Sequence, residues 1–588
     1  MADFRVGPAS YATGSGDGSG WGAANVLTAK QASDMIAAGT IVAGDRVLFG
    51  GSLGHYGLAD VALFPAASRA LNSGYPAGTQ VGTGGENGGI TFGTAQSGAS
   101  KASGITFEGA GDGARSVWDL HGGRTVAQRQ IAGLCFRGEK MVVRNFEVNG
   151  PDCDYLTNIN TAASGNQPET LSFENLCVAV FGGGNTIEFN KLNGNAGPNG
   201  FSRYALYVLL PNDSQGANYG KHLTTVIRRN DLSGSFQGLR VDPGGPGGGG
   251  QILRYGTALE VYDNDLHDAA WGRRSGDAAL PYNAQSHGGH ASVSGAFYGR
   301  SFFNGNRLWG DCQDALDLIT AGMDVCWNLV RDIQSVDPVI WQWSGSAWFQ
   351  AAWTGNRNGN GLKLGFTGVD GTAPSVWLGS DGVSGGSSAV AEAGNRCVGN
   401  RVYRTSGAGV TTNNSNGMFI AHNEFLDTQL ACVLLYAKAG NQFVMNNYGR
   451  LASNNVAGVA CIDIGAGVRV WEFNNIWNAG SNAAARSAYE WNNRSTAART
   501  YGKNLHVNGR HQSPEGGSAY VGTLDVNGGA AQAINYVEGA GFPLGDALQG
   551  LADAECLRTA RSAGMLRDIN QQPIWLPNNL GPYTRPAA

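Results

Sequence analysis

The stretch Arg357-Asn358-Gly359-Asn360-Gly361-Leu362-Lys363-Leu364-Gly365 sets one lysine among small residues. It follows an acidic cluster, Asp311-Cys312-Gln313-Asp314-Ala315-Leu316-Asp317, and precedes an Asn-rich turn, Asn413-Asn414-Ser415-Asn416. A lysine beside carboxylates on a rigid stack of strands is suited to removing the proton α to a uronate carboxylate and expelling the 4-linked sugar. Such a base must be neutral, so its pKa has to be lowered by burial or by cationic neighbours, and nearby aspartates oppose this. The substrate carboxylate needs a positive partner, either a divalent cation or a side chain such as Arg357, Arg396 or Arg401. The same acidic cluster allows a different chemistry, in which two of Asp311, Asp314 and Asp317 act as the acid and base of a glycosidase.

Between the acidic cluster and Lys363 lie Trp341, Trp343, Trp348, Phe349 and Trp353. Aromatic faces stack on sugar rings, so Trp341, Trp343 and Trp348, with Arg357, are candidate substrate-binding residues; a loop burying its own aromatics is the competing reading. His287 and His290 have metal-like spacing only superficially and read as structural or surface residues.

The elements that must position these groups are announced by asparagine. A segment of the form apolar-x-Asn-x-apolar recurs at Asn190, Asn230, Asn264, Asn306, Asn328, Asn400, Asn423, Asn446 and Asn474. Asn306 to Asn328 is 22 residues, and Asn400 to Asn423 and Asn423 to Asn446 are 23 each. Wider gaps, up to 72 residues, read as rungs with loop insertions or missed repeats. A period in the low twenties with several short strands predicts an all-β fold, a right-handed parallel β-helix whose stacked coils bring like residues into ladders. Asn at a stacked turn can bridge coils through its amide. A β-sandwich array, the other all-β option, would not hold this period.

The solenoid is expected over 51–540, with loop insertions at about 240–257 and 333–356. Residues 1–50 form its cap: a short helix within 25–40, around Val26 to Ala32, and an opening strand over Val42 to Phe49. From about Gly541 the pattern breaks, and 541–588 reads as a helix (Ala547 to Ala563) and an irregular extended tail.

Composition agrees. Of 588 residues, 92 are Gly and 14% are charged, while 42% are hydrophobic, which suits short strands and tight turns and argues against both disorder and helical bundles. A net charge of −5 without a Lys/Arg run excludes a nucleic-acid footprint. No apolar run approaches the roughly 18–20 residues that membrane insertion requires. The nine cysteines lack CxxC pairs and read as small buried thiols. The N-terminus, Met1-Ala2-Asp3-Phe4-Arg5-Val6, shows no secretory signal pattern.

The order of the motifs over Ser286 to Asp427, about a quarter of the chain, resembles the family-nine pectate lyases. These motifs are an acidic cluster, then Gly-Asn-Gly-Leu-Lys-Leu-Gly, then Gly407-Ala408-Gly409-Val410 leading to Asn413-Asn414-Ser415-Asn416-Gly417. The resemblance implies a right-handed parallel β-helix polysaccharide lyase with Lys363 as the Brønsted base and Asp314 and Asp317 as two ligands of a Ca2+ cofactor. Gln313 stands where the family's cluster opens with aspartate, and the aspartate expected one coil earlier falls near Gly289-His290, where there is no carboxylate. Gly-rich β-helices without a secretory signal also resemble bacteriophage tail spikes and fibres. That likeness implies a homotrimer, virion tail proteins as partners, a host surface glycan or acidic polysaccharide as ligand, and a virion or extracellular location. The expected function is thus a phage-type depolymerase acting by β-elimination. The alternatives are a non-catalytic receptor-binding virion protein and a bacterial extracellular lyase or glycoside hydrolase.

Overall fold

A computed structural model describes residues 1–61, 88–93, 102–120, 131–150, 175–194, 204–210, 223–243 without 236, 257–269, 289–334 without 311, 339–343, 348–352, 359–365, 377–378, 384–385, 395–413, 418–435, 441–453, 460–464, 469–480 without 474, 486–490, 499–502, 505–507, 511–512 and 526–528. Residues 244–256 of the expected insertion and the C-terminal helix and tail lie outside the described residues.

The chain is a parallel β-helix: its coils contribute short strands to three sheets, in which the described strands pair in parallel with counterparts one coil before and after, and two antiparallel pairs, Val339–Trp343 with Trp348–Ala352 and Trp377–Leu378 with Ser384–Gly385, stand apart from them. Parallel crossovers of this kind take the right-handed sense. The chain divides into two compact units, Met1–Gly299 with Val336–Thr354, and Arg300–Ser335 with Gly355–Ala588.

In the first unit, the first sheet runs from Asp3–Val6 through Arg46–Phe49, Thr106–Glu108, Val142–Arg144, Thr186–Glu188 and Leu223–Arg228 to Thr257–Tyr262. The second sheet runs from Ser116–Asp119 to Asp265–His267, and the third from Gly88–Phe92 to the strand that starts at Gly289. The helix Ala29–Ala38 packs Ala29, Ala32 and Ile36 inward at the start of the solenoid. It begins three residues later than the apolar pattern suggests, because Thr28 caps it in a reciprocal capping box with Gln31 while Leu27 is drawn into a bridge with Val6. The first coils hold an aromatic core in which Phe49 contacts Tyr56, Phe92, Trp118 and Phe146, and Tyr56 stacks on Trp118 at 4.4 Å.

In the second unit, the second sheet runs from Arg307–Trp309 to Val526–Gly528. The strand Asp314–Cys326 serves two sheets. Its beginning pairs with Asn360–Gly365 in the third sheet, and its end, Asp324 to Cys326, pairs with Arg396–Val398 in the first. The third sheet continues through Ala408–Asn413, Ala431–Leu435 and Ala460–Ile464.

The recurring asparagines form two ladders. In the first unit Asn190, Asn230 and Asn264 stack, and in the second Asn306, Asn328, Asn400, Asn423, Asn447 and Asn475. From Asn230 in the first ladder and Asn328 in the second, each side-chain oxygen accepts both the backbone N–H and the amide NH2 of the Asn in the coil before, while Asn190 accepts the N–H of Phe146 at 3.1 Å. In both ladders the amide also donates to a strand carbonyl of the coil before, as Asn230 does to Ile187 at 3.0 Å and Asn423 to Cys397 at 2.9 Å. The residue before each ladder position turns the chain from the first sheet to the second in a left-handed conformation, with φ between 53° and 69° from Phe189 to Asn446. Asn446 is one of these turning residues. The ladder members are therefore Asn447 and Asn475, one place later than the sequence pattern assigns, and Asn423 to Asn447 is a step of 24. The 72-residue gap from Asn328 to Asn400 is one rung with a long insertion, since Leu329 pairs directly with Arg401.

Alternating charges stack on the outside. Glu108, Arg144, Glu188 and Arg228 occupy in-register positions on the first sheet, closed by Tyr262, with Glu108–Arg144 at 2.6 Å and Arg228–Glu188 at 2.7 Å. In the second unit Asp332 pairs with Arg404, and Asp427 with Arg450 at 2.9 Å. The seven described cysteines are all buried and none is in a disulfide.

On the second sheet His267 sits between Asp231 at 2.9 Å and Asp268 at 2.8 Å. Burial works against its positive charge, but bonds to two carboxylates outweigh burial and raise its pKa from the ordinary 6.5 to about 9. The folded value is the higher one. The stabilisation is therefore complete below about pH 6.5 and is lost as pH rises through about 9; given the exposed carboxylate partners it amounts to about 1–2 kcal/mol. In urea unfolding, the stability gap between wild type and His267→Ala should be open near neutral pH and close above about pH 10.

Candidate functional site

Lys363 lies in the middle of Asn360–Gly365, between Leu362 and Leu364, both fully buried. Alternation along the strand turns those two leucines into the solenoid and Lys363 out of it. Register then fixes its neighbours: Asp317 stands opposite Lys363 in the preceding coil and Thr411 in the following one, while Asp314 stands opposite Asn360. Lys363 Nζ lies 3.4 Å from Asp314 Oδ2 and 3.4 Å from Asp317 Oδ1. The lysine side chain is 18% exposed, and the two aspartates are nearly closed off. Three residues spread over 50 positions of sequence thus form one compact charge cluster, Asp314, Asp317 and Lys363, on the outward face of the third sheet.

Its electrostatics run against a free base. Burial pulls the Lys363 pKa down, but the charges of Asp314 and Asp317, with hydrogen bonds to both, prevail and hold it well above the ordinary lysine value. The ammonium is the resting form.

The donor set does not fit calcium. That ion takes six to eight oxygens, whereas the ammonium of Lys363 stands between the two carboxylates, and no group of three or more His, Cys, Asp or Glu among the described residues could hold a metal. Gln313 is buried, and its backbone carbonyl accepts the N–H groups of Gly359 at 2.7 Å and Asn360 at 2.9 Å.

Other residues singled out from sequence lie elsewhere. Arg396 is paired with Asp324 at 2.9 Å, and these two stand opposite each other on the first sheet. Arg401, on the second sheet, approaches the buried Glu424 at 3.9 Å, and Tyr403 donates to the same carboxylate. Neither arginine stands on the sheet that carries Lys363. Trp341, Trp343 and Trp348 lie in an antiparallel hairpin, Val339–Trp343 against Trp348–Ala352, with Trp343 opposite Trp348. That hairpin groups with the first unit and Lys363 with the second. His290 is buried in the first unit, in the strand next to Gly238. Asp311, His287, Trp353, Arg357 and Asn414 to Asn416 lie outside the described residues. The cluster also contains a residue that the sequence reading passed over: Asn360 donates to Asp314 Oδ1 at 2.7 Å. Its only sequence signal is its place between two glycines.

Fold and site together define a parallel β-helix with an outward lysine–carboxylate cluster. No described protein family matches the sequence, and no curated protein matches it. Among solved structures the chain has distant similarity to pectate lyase Pel9A, at 13% identity and a TM-score of 0.38, covering 100% of this chain and 97% of that one. It is also similar to the GH136 lacto-N-biosidase from Eubacterium ramulus (9% identity, TM-score 0.29, covering 89% and 67%). A mutant tailspike protein of E. coli bacteriophage HK620 is a third (10% identity, TM-score 0.29, covering 86% and 78%).

Proposed function

We propose that the chain is a glycan-binding depolymerase of the tail-spike kind that cleaves an acidic, uronate-containing polysaccharide by β-elimination at Lys363. The observation that carries this reading is the register that sets Lys363 on the outward face of the third sheet, 3.4 Å from each of two carboxylates. In the reaction the neutral amine of Lys363 removes the proton α to the uronate carboxylate, the electron pair left behind forms the C4–C5 double bond and breaks the bond to the 4-linked sugar, and the departing oxygen takes a proton from water. Because Asp314 and Asp317 hold the proton on Lys363, elimination should be slow near neutral pH and rise through the alkaline range.

That same pairing favours a second reading, glycan recognition without cleavage, in which Lys363 stays an ammonium. Hydrolysis by Asp314 and Asp317 is less well supported, because a glycosidase pair needs room for substrate and water where the ammonium stands.

Incubation with polygalacturonate, alginate and bacterial capsular uronans at neutral and alkaline pH, with and without EDTA and added Ca2+, tests the proposal. Absorbance from the unsaturated product that grows with pH supports elimination at Lys363. Tight binding with no product at any pH leaves the recognition reading, and reducing ends without absorbance would mean a hydrolase. The tail-spike setting, on a virion or outside the cell, further expects a homotrimer by light scattering.

A further inference from the structure

We propose that Asn360 is the positioning residue of the Lys363 cluster: it takes one oxygen of Asp314 and thereby presents the other to Lys363. The inference rests on the reading of Lys363 as the reacting group. Asn360 ties three successive coils together at the start of the third sheet. Its backbone N–H donates to the carbonyl of Gln313 at 2.9 Å, one coil back. Its side-chain oxygen accepts the N–H of Ala408 at 2.9 Å, one coil forward, and its amide NH2 donates to Asp314 Oδ1 at 2.7 Å. These partners settle the orientation of the amide, since the opposite orientation would set oxygen against carboxylate and NH2 against N–H.

The seat is built for this side chain. A Cβ at Gly407 would come within 2.5 Å of Asn360 Oδ1 and 3.0 Å of its backbone nitrogen, so only glycine at 407 leaves the amide in place. With Oδ1 of the buried Asp314 engaged, Oδ2 is the oxygen that faces Lys363, at 3.4 Å. A carboxylate pinned at one oxygen holds the ammonium at a defined point; one free to turn would not.

The test is the reactivity of the Lys363 amine toward acetic anhydride, read by peptide mass spectrometry as a ratio to Lys30, which is 75% exposed. The variants are Asn360→Ala, Asn360→Asp and Asp314→Asn, each checked for unchanged thermal melting. Releasing Asp314 in Asn360→Ala should raise the ratio several-fold, as Asp314→Asn does directly. Asn360→Asp keeps the acceptor for Ala408 but adds a carboxylate to the cluster, and should lower the ratio. A purely architectural role would move melting and leave the ratio alone. If Asp314→Asn raises the ratio while both Asn360 variants stay at the wild-type value, the positioning role is overturned and the Lys363–Asp314 pair stands. If Asp314→Asn also has no effect, the pair itself falls, and with it the proposed function. Should Asn360→Ala fail to fold, Asn360→Ser, whose shorter side chain cannot reach both Ala408 and Asp314, decides in its place: a raised ratio supports the proposal and an unchanged one overturns it.

Discussion

Lys363→Arg is expected to abolish elimination, by about 10²–10⁴-fold, while glycan binding and melting stay close to wild type. Arginine keeps the positive charge between Asp314 and Asp317 but does not give up its proton at any working pH, so it separates a base from a cation. Lys363→Ala would show an equal loss in rate, but it also strips two nearly buried carboxylates of their partner and is therefore the less informative change. The companion variant is Asp317→Asn. It removes one of the two charges that hold the proton on Lys363, so the alkaline limb of the rate profile should move to lower pH and activity at neutral pH should rise. A calcium ligand would behave in the opposite way: loss of Asp317 would reduce activity at every pH. Initial rates of unsaturated-product formation across the pH range for wild type and both variants distinguish the two. A Lys363→Arg variant as fast as wild type would remove Lys363 from the proposed base role.

The outward placement of Lys363 is legible in sequence because Leu362 and Leu364 flank it, and a strand with two buried neighbours leaves the middle residue only one direction. Asp317 is legible for the same reason, lying between Leu316 and Leu318. What the sequence hides is which rungs touch. Asn360 meets Ala408 across 48 residues and Arg396 meets Asp324 across 72, because insertions of unequal length separate strands that pair directly. The arginines 396 and 401 therefore read as candidate substrate clamps when each already faces an acidic partner on its own sheet, away from the sheet that carries Lys363. The solenoid itself is legible because the turn from first to second sheet leaves an N–H that no strand pairs, and a buried asparagine amide one coil on accepts it and donates back across the coils. Consecutive asparagines defeat the reading at single-residue resolution. Asn tolerates the left-handed turn as well as the ladder position, so Asn446-Asn447 offers two registers with the same residue type.

That ambiguity yields the second large prediction, a contrast between adjacent asparagines. Asn447 accepts the backbone N–H of Asn423 at 2.9 Å and its amide NH2 at 3.0 Å, and donates to the carbonyl of Ile420 at 3.0 Å and to Asn475 at 3.0 Å. Asn447→Ala leaves the Asn423 N–H unpaired in the wall of the solenoid and takes the side-chain donor from the Ile420 carbonyl, and water has no route to a ladder residue with no exposed surface. One orphaned backbone N–H at about 1–3 kcal/mol, with the amide bonds lost to both neighbouring coils, predicts a destabilisation of about 2–5 kcal/mol. Asn446→Gly acts on the neighbouring residue with the opposite outcome. Glycine adopts the φ of 53° without strain, and the main loss is one contact of 3.3 Å to His422, so the change should stay within about 1 kcal/mol. Urea midpoints of the two variants measured side by side read the difference without assuming that so long a solenoid unfolds in one step. Equal midpoints would mean that the ladder does not run through Asn447, and a greater loss for Asn446→Gly would return the register to the one that the sequence pattern suggests.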